Sequence, residues 1–365
     1  MKIDAIEIYR AEIPLTVPYK VSRRTFTVFD PLIASIRTRD SRIGWGEATI
    51  TADYAVGETP QTGWAFLKAW GERLAGREVA DAKALLEPEI EANSHAASIL
   101  ISALEMIERS PLLTIGAPAV VPLLVPVNTM DVDQVGAEVE GSIAAGFRTL
   151  KVKVGFDVDA DLRRVAAIQR ALAGRATIRL DANQAFSVEQ GRHFAAALDP
   201  TGIELFEQPC DKADWAANAA VAAVSTVPVM LDESIYGLTE IERAATVKGV
   251  GFVKVKLKKL GSLARLEAAL HRIAALGLTP VLGDGTATDI SCWMEACVAR
   301  TTITNAGENN GFLKLAAPLF RNPLPFARGA IRFPAGWWPD VDEACLRGLS
   351  AETARFATVS LAAAH

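Results

Sequence analysis

Histidine and cysteine are scarce in this 365-residue chain, with four of each, and aromatic residues make up only 7%. Cys210, Cys292, Cys297 and Cys345 show no CxxC spacing and no accompanying histidine set. That excludes a disulfide framework and a zinc site and points to reduced thiols. No apolar run approaches the roughly 18–20 residues of a membrane span. The opening MKIDAIEIYRAEIPL alternates like a strand and lacks a signal peptide's apolar stretch. A formal charge of −5 supplies neither a basic stripe for nucleic acid nor a polybasic membrane patch. No GxGxxG follows a strand pattern and no P-loop is present, which argues against nucleotide chemistry. His95, His193 and His271 fall in helical patterns and His365 ends the chain, so histidine catalysis is not expected. The exclusions leave a soluble, cytoplasmic protein, half hydrophobic, with ample length for a core.

What is present is a rhythm. Lys153, Asp181, Glu207, Asp232, Lys256 and Asp284 recur in steps of about 24–28 residues, each ending a short apolar run such as IELFEQP or VPVMLDES. A strand, a helix and two loops need that length, so the steps read as consecutive βα units. Eight strand candidates run from VPLLVPVN to TTITN at 301–305, which favours a closed TIM-type barrel over an open sheet. The first stretch differs. Residues 2–13 and 31–50 alternate as a small antiparallel sheet, and 61–110 is helical, its second helix starting at a capping Ser94. The expected organisation is an α+β domain over 1–118, a barrel over 119–325 and a segment, 326–365, packing back on the first domain.

Asp181, Glu207 and Asp232 take the same place on three adjacent strands, at the end where such barrels keep their chemistry. Three carboxylates that close repel one another unless a cation lies between them. Taken singly, each acid is explained as a helix cap; in register, with lysines on either side, they read as a site for Mg²⁺ or Mn²⁺, hard ions suited to oxygen donors. Lys151 and Lys153 share one face of the second strand, and Lys254, Lys256 and Lys258 share one face of the sixth, across the barrel. The run KVKLKK alone would pass for a solvated edge strand. An ammonium beside a divalent ion and a second ammonium loses its proton more easily, as a catalytic base must.

With these motifs the sequence resembles the enolase superfamily, in its muconate-lactonizing subgroup. The K-x-K is Lys151-Val152-Lys153, the metal ligands match Asp181 in DANQ, Glu207 in EQP and Asp232 in DES, and the second lysine is Lys256 in VKLKKLGS. PLTVPYKVSRRTFTVF and the GWGEA around Glu47 look like the family's capping domain. The resemblance implies a (β/α)7β barrel and a divalent ion that binds a substrate carboxylate and stabilises the enediolate formed on loss of the α-proton. Lys153 and Lys256 would be base and acid on opposite faces, Lys151 would lower the pKa of Lys153, and Asn183 would support the metal site. Relatives with two such lysines include dipeptide epimerases, muconate cycloisomerases, o-succinylbenzoate synthases and some dehydratases.

Arg24 falls where dipeptide epimerases carry an arginine for a distal carboxylate. The family's Asp-x-Asp for a substrate ammonium is here Glu308-Asn309-Asn310, so a free amine would be held less well. Asp284, in GDG, either binds substrate or forms a tight turn. The reading is a Mg²⁺-dependent isomerase of a small carboxylate, an epimerase or racemase of a modified amino acid before a cycloisomerase or a lyase, and a homo-oligomer as relatives often are. A Schiff-base aldolase and a non-catalytic barrel are the readings from other classes. Specificity is expected from loops 16–30 and 50–60.

Overall fold

Period-two alternation in the first fifty residues folds as β1 (Ile3–Ala11), β2 (Ile13–Val21), β3 (Arg24–Phe29), β4 (Leu32–Thr38) and β5 (Ile43–Ala48). The structure, a computed structural model, describes residues 1–21, 24–51 and 57–358, without the side chains of residues 20, 21 and 24. β1, β4 and β5 are antiparallel neighbours, while β2 and β3 pair as a separate ribbon. The sheet is covered by α1 (Pro60–Leu74), α2 (Val79–Leu86) and α3 (Ile90–Ile107). Ile3, Ile6 and Ile8 of β1 pack under these helices, and Tyr9 and Ala11 join the larger core that runs into the barrel. Glycine decides how close α3 lies: a Cβ on Gly46 would run into the Ile99 carbonyl, and one on Gly44 into that of Ala103.

Ser94 does not cap the helix as expected. The backbone kinks at Asn93 (φ −137°, ψ 48°), and the N–H groups of His95 and Ala96 beyond it donate to the carboxylate of Glu58, both at 2.9 Å. A buried acid 37 residues upstream satisfies the orphan donors that a local serine was expected to take.

The chain then passes through β6 (Ala119–Pro122) into the alternation β7 (Val125–Val127), α4 (Val135–Ala144), β8 (Thr149–Lys153), α5 (Val158–Leu172), β9 (Thr177–Asp181), α6 (Val188–Ala197), β10 (Ile203–Glu207), α7 (Trp215–Ala222), β11 (Val229–Leu231), α8 (Leu238–Ala245), β12 (Val250–Val255), α9 (Leu257–Leu260), α10 (Leu263–Ala275), β13 (Thr279–Leu282) and α11 (Asp289–Thr302). β7 to β13 form one parallel seven-stranded sheet in sequential order, as right-handed βα crossovers require. β14 (Phe326–Ala327) and β15 (Ala330–Phe333) continue from β6 in a three-stranded sheet, and after α12 (Glu343–Gly348), β16 (Ser350–Ala357) pairs antiparallel with β1.

Two expectations are corrected. TTITN is not the eighth strand. Thr301 and Thr302 end α11, their hydroxyls donating back to the Val298 carbonyl at 3.2 and 2.9 Å. The eighth place is taken by Gly307 and Glu308: Gly307 N–H donates to Pro122 O (2.8 Å), Leu124 N–H to Gly307 O (3.1 Å) and Glu308 N–H to Leu282 O (2.9 Å). Gly283, at φ +138°, leaves the room a Cβ would fill against the Glu308–Asn309 backbone. Secondly, β12 ends at Val255; Lys256 is the N-cap of the single turn α9, which carries Lys258 and Lys259. No helix among the described residues is long and apolar enough to cross a membrane.

Candidate active site

Strand register brings the charged residues together. Lys153 is level with Asp181 and Asp181 with Glu207 on β8, β9 and β10. Glu207 is level with Met230, so Asp232, two residues on, rises on the same face just past β11. All three carboxylates are buried.

An ammonium bridges each neighbouring pair. Lys153 Nζ lies 2.6 Å from Asp181, Lys151 Nζ 2.9 Å from Asp181 and 2.8 Å from Glu207, Lys254 Nζ 2.9 Å from Glu207 and 3.1 Å from Asp232, and Lys256 Nζ 2.9 Å from Asp232. The result is one row of alternating charge across the barrel mouth, with Lys153 and Lys256 at its two ends. Those ends are 10% and 14% exposed, whereas Lys151 and Lys254 are 2% exposed. Within the row, the terminal amines are the more open to the cavity that all four lysines line.

The row sets the protonation states. Burial works against Asp181, but Lys151 and Lys153 outweigh it and bring its pKa down to about 2. Burial pushes Glu207 up to about 7, aided by the charge of Asp181. Burial also opposes the ammoniums of Lys153 and Lys256, yet Asp181 and Asp232 hold both above the ordinary lysine range. Lys151 does lower Lys153, as expected, but by less than Asp181 raises it. Asn183 accepts from Lys153 Nζ at 2.7 Å and donates to Glu233 at 3.0 Å, which places it behind Asp181.

Among the described residues no three acidic, histidine or cysteine side chains stand as a ready-made ion cage, since lysines lie between the carboxylates. The donor set nonetheless fits a hard divalent ion. It is oxygen throughout, the ammoniums mark where positive charge is wanted, and Glu207 Oε2 is buried without an aligned donor although Lys151 Nζ is near.

Glu308 is drawn in from the eighth position and sits between Lys151 (2.7 and 2.8 Å) and Lys254. Asn310 has its amide spent, Nδ2 on Leu124 O (2.9 Å) and Oδ1 accepting from Lys314 Nζ (2.8 Å). Asp284 lines the cavity, but its carboxylate also holds a turn and a lysine: it accepts from Thr286 N–H (3.0 Å) and pairs with Lys258 at 2.5 Å. Lys258 in turn donates to Thr49 O (3.0 Å), tying the barrel to the cap. Arg24 begins β3 opposite Val21, but its side chain lies outside the described residues, as do residues 22–23 and 52–56 of the two expected specificity loops.

Sequence reasoning missed several participants. Lys254 was placed only as one lysine of a run, although Lys254-Val255-Lys256 repeats the spacing of Lys151-Val152-Lys153. Lys259, on α9, donates to Asp232 Oδ1 at 2.8 Å and gave no periodic signal. Glu233, next to Asp232, keeps a buried oxygen without a hydrogen bond. His95, read from the sequence only as part of a helical pattern, is buried in α3 and also lines the cavity together with Tyr19, Phe26 and Thr51 from the cap.

Residues 134–337 match the family model described as enolase C-terminal domain-like. The chain is 30% identical over 301 residues to an L-Lys-D/L-Arg epimerase of Methylococcus capsulatus, covering 76% of this chain and 80% of that one. The crystal structure of an N-succinyl Arg/Lys racemase from Bacillus cereus superposes with a TM-score of 0.88 at 22% identity, covering 97% and 100%. That of a dipeptide epimerase from Cytophaga hutchinsonii, complexed with Mg and D-Ala-L-Val, gives 0.86 at 22%, covering 98% and 100%. By the extent of the family match, and in agreement with the barrel and its row of charges, this chain belongs to the enolase superfamily, in the mandelate racemase/muconate lactonizing subgroup, and is an enzyme.

Proposed function

We propose that the enzyme is an epimerase or racemase acting at the α-carbon of an amino-acid-derived carboxylate whose nitrogen is substituted. The observation that carries this reading is the pair Lys153 and Lys256, open to one cavity from the two ends of a buried charge row. One amine in its neutral form takes the α-proton from one face, and the other, as ammonium, returns a proton to the opposite face, which inverts the centre. Asp181, Glu207 and Asp232 would hold Mg²⁺, or Mn²⁺ with the same donors. A divalent ion there supplies positive charge to the substrate carboxylate as electron density moves onto it. Lys151, Lys254 and Glu308 keep the row buried and aligned, so that the terminal amines stay on opposite sides.

Substitution on nitrogen is supported by the eighth position. The oxygens of Glu308 are taken by two lysines, and Asn310 is engaged at both ends of its amide, so no open carboxylate there awaits a free ammonium. The same observation suits a muconate-type cycloisomerase acting on a diacid, and incubation in D₂O separates the two. With Mg²⁺ and L-configured N-acyl amino acids, the α-proton signal should disappear as the D isomer forms, and EDTA should stop both. A change in ultraviolet absorbance of a conjugated diacid without α-deuteration would assign the cycloisomerase instead. If no N-acyl amino acid, dipeptide or proline derivative gains deuterium, the epimerase reading fails.

A further inference from the structure

Among the described residues His95 is the one histidine at the cavity, and it arrives from the cap rather than the barrel. Its ring is 3% exposed and fixed from behind. Glu58 Oε2 lies 3.0 Å from Nδ1 and accepts from the His95 N–H at 2.9 Å, while Oε1 accepts from Ala96 N–H at 2.9 Å. Ser94 Oγ is 3.2 Å from the same Nδ1. A carboxylate that already accepts two backbone N–H groups is an acceptor, which puts the imidazole proton on Nδ1. Nε2 is then the polar atom left over: it makes no hydrogen bond among the described residues, on a ring that forms part of the cavity wall. Burial, with Lys258 and Lys259 nearby, holds the imidazole below its ordinary pKa against the pull of Glu58, so the ring is neutral and Nε2 is an acceptor. Those ammoniums also disfavour a substrate cation at this end. Nε2 is therefore the acceptor this ring can offer to a ligand in the cavity, and a ligand donor that reaches it gains a hydrogen bond.

We propose that the cap end of the cavity is a subsite for a neutral hydrogen-bond donor on the substrate's tail, an amide N–H or a hydroxyl, with His95 Nε2 as acceptor and Glu58 as the residue that positions it. Tyr19 and Phe26, also from the cap, line the same cavity, with Tyr19 on the side of Lys153 and Lys314, and suit an apolar part of the substrate. The proposal rests on the epimerase reading only for which end of the substrate lies between the lysines.

The test is calorimetric binding to the full chain with Mg²⁺, using racemic N-acetylglutamine, N-acetylmethionine and N-acetylglutamate, so that turnover leaves the mixture unchanged. N-acetylglutamine carries the tail donor, N-acetylmethionine matches its length without one, and N-acetylglutamate carries an anion. Wild type should bind the glutamine probe about tenfold more tightly than the methionine probe, the worth of one neutral hydrogen bond. His95→Leu should bring that ratio close to one. His95→Gln, which keeps an acceptor, should retain part of it, and Glu58→Gln should reduce it through a less well held ring. Equal affinities, no binding of either probe, a ratio unchanged in His95→Leu, or tightest binding of N-acetylglutamate would each overturn the proposal. Deuterium exchange on other carboxylates reports separately on the epimerase reading.

Discussion

Lys153 and Lys256 have different neighbours and, on the proposed mechanism, different substrates. Each would take the proton from one enantiomer only. Lys153→Ala and Lys256→Ala are each expected to lower racemisation by about 10²–10⁴-fold. Each should still wash deuterium into one enantiomer with retention, the opposite one in the two variants; chiral chromatography with mass spectrometry reads this directly. Lys254 makes a different prediction, because it is buried among Glu207, Asp232 and Glu308. Removing one partner of a buried ion cluster strands the others, so Lys254→Met should cost roughly 3–5 kcal/mol, measured from urea unfolding. At this scale the sequence was legible where spacing repeats. The acids at strand ends and K-x-K on β8 were visible because period-two alternation and a βα step are chain-local facts. Lys259, Glu233 and the Glu58–His95 pair were not, since their neighbours come from elements far apart in sequence.

Elements add constraints of fit. α3 lies against β5 only because Gly44 and Gly46 carry no side chain. Gly46→Ala forces the helix outward or the strand aside, with an expected loss of about 1–3 kcal/mol in thermal or urea unfolding. β5 is also joined to the start of α11: Glu47 accepts from Thr288 N–H at 2.6 Å and from the Thr288 hydroxyl, and its own carbonyl accepts from Ser291 Oγ at 3.1 Å. A helix N-terminus favours a charged carboxylate, but burial dominates and raises Glu47 from 4.5 to about 8. A folded-state pKa above the unfolded one means that the contribution is complete below about pH 4.5 and is lost as pH rises through about 8. Glu47→Gln should therefore flatten the fall in urea midpoint between those pH values relative to wild type. The strand boundaries show where local reading fails. TTITN has strand composition, yet its threonines bond backward into α11, and the eighth position went to Gly307 and Glu308, whose only strand-like feature is their place between β7 and β13.

For the whole molecule, the carboxylates proposed to hold a divalent ion would link stability to metal. A divalent ion bound only by the folded state adds RT ln(1 + [L]/Kd), about 2.7 kcal/mol at a hundred times Kd. Mg²⁺ should raise the thermal midpoint of the apoprotein, EDTA should reverse the rise, and Asp181→Asn should abolish it; scanning calorimetry measures this without any substrate. The cap is tied to the barrel by Lys258 on the Thr49 carbonyl and by Glu47 on Thr288, and β16 adds the far end of the chain to the cap's sheet. The succession of βα units through β13, the shared face of Lys151, Lys153, Asp181 and Glu207, and the resemblance to the family are legible in the sequence, because periodicity and spacing act within tens of residues. The pairing of each ammonium with its carboxylates, the closing of the barrel at Gly307 and the delivery of His95 to the cavity were decided only by the tertiary structure. Burial forces every charge and every unfilled backbone group to find a partner wherever the packed chain brings one within reach.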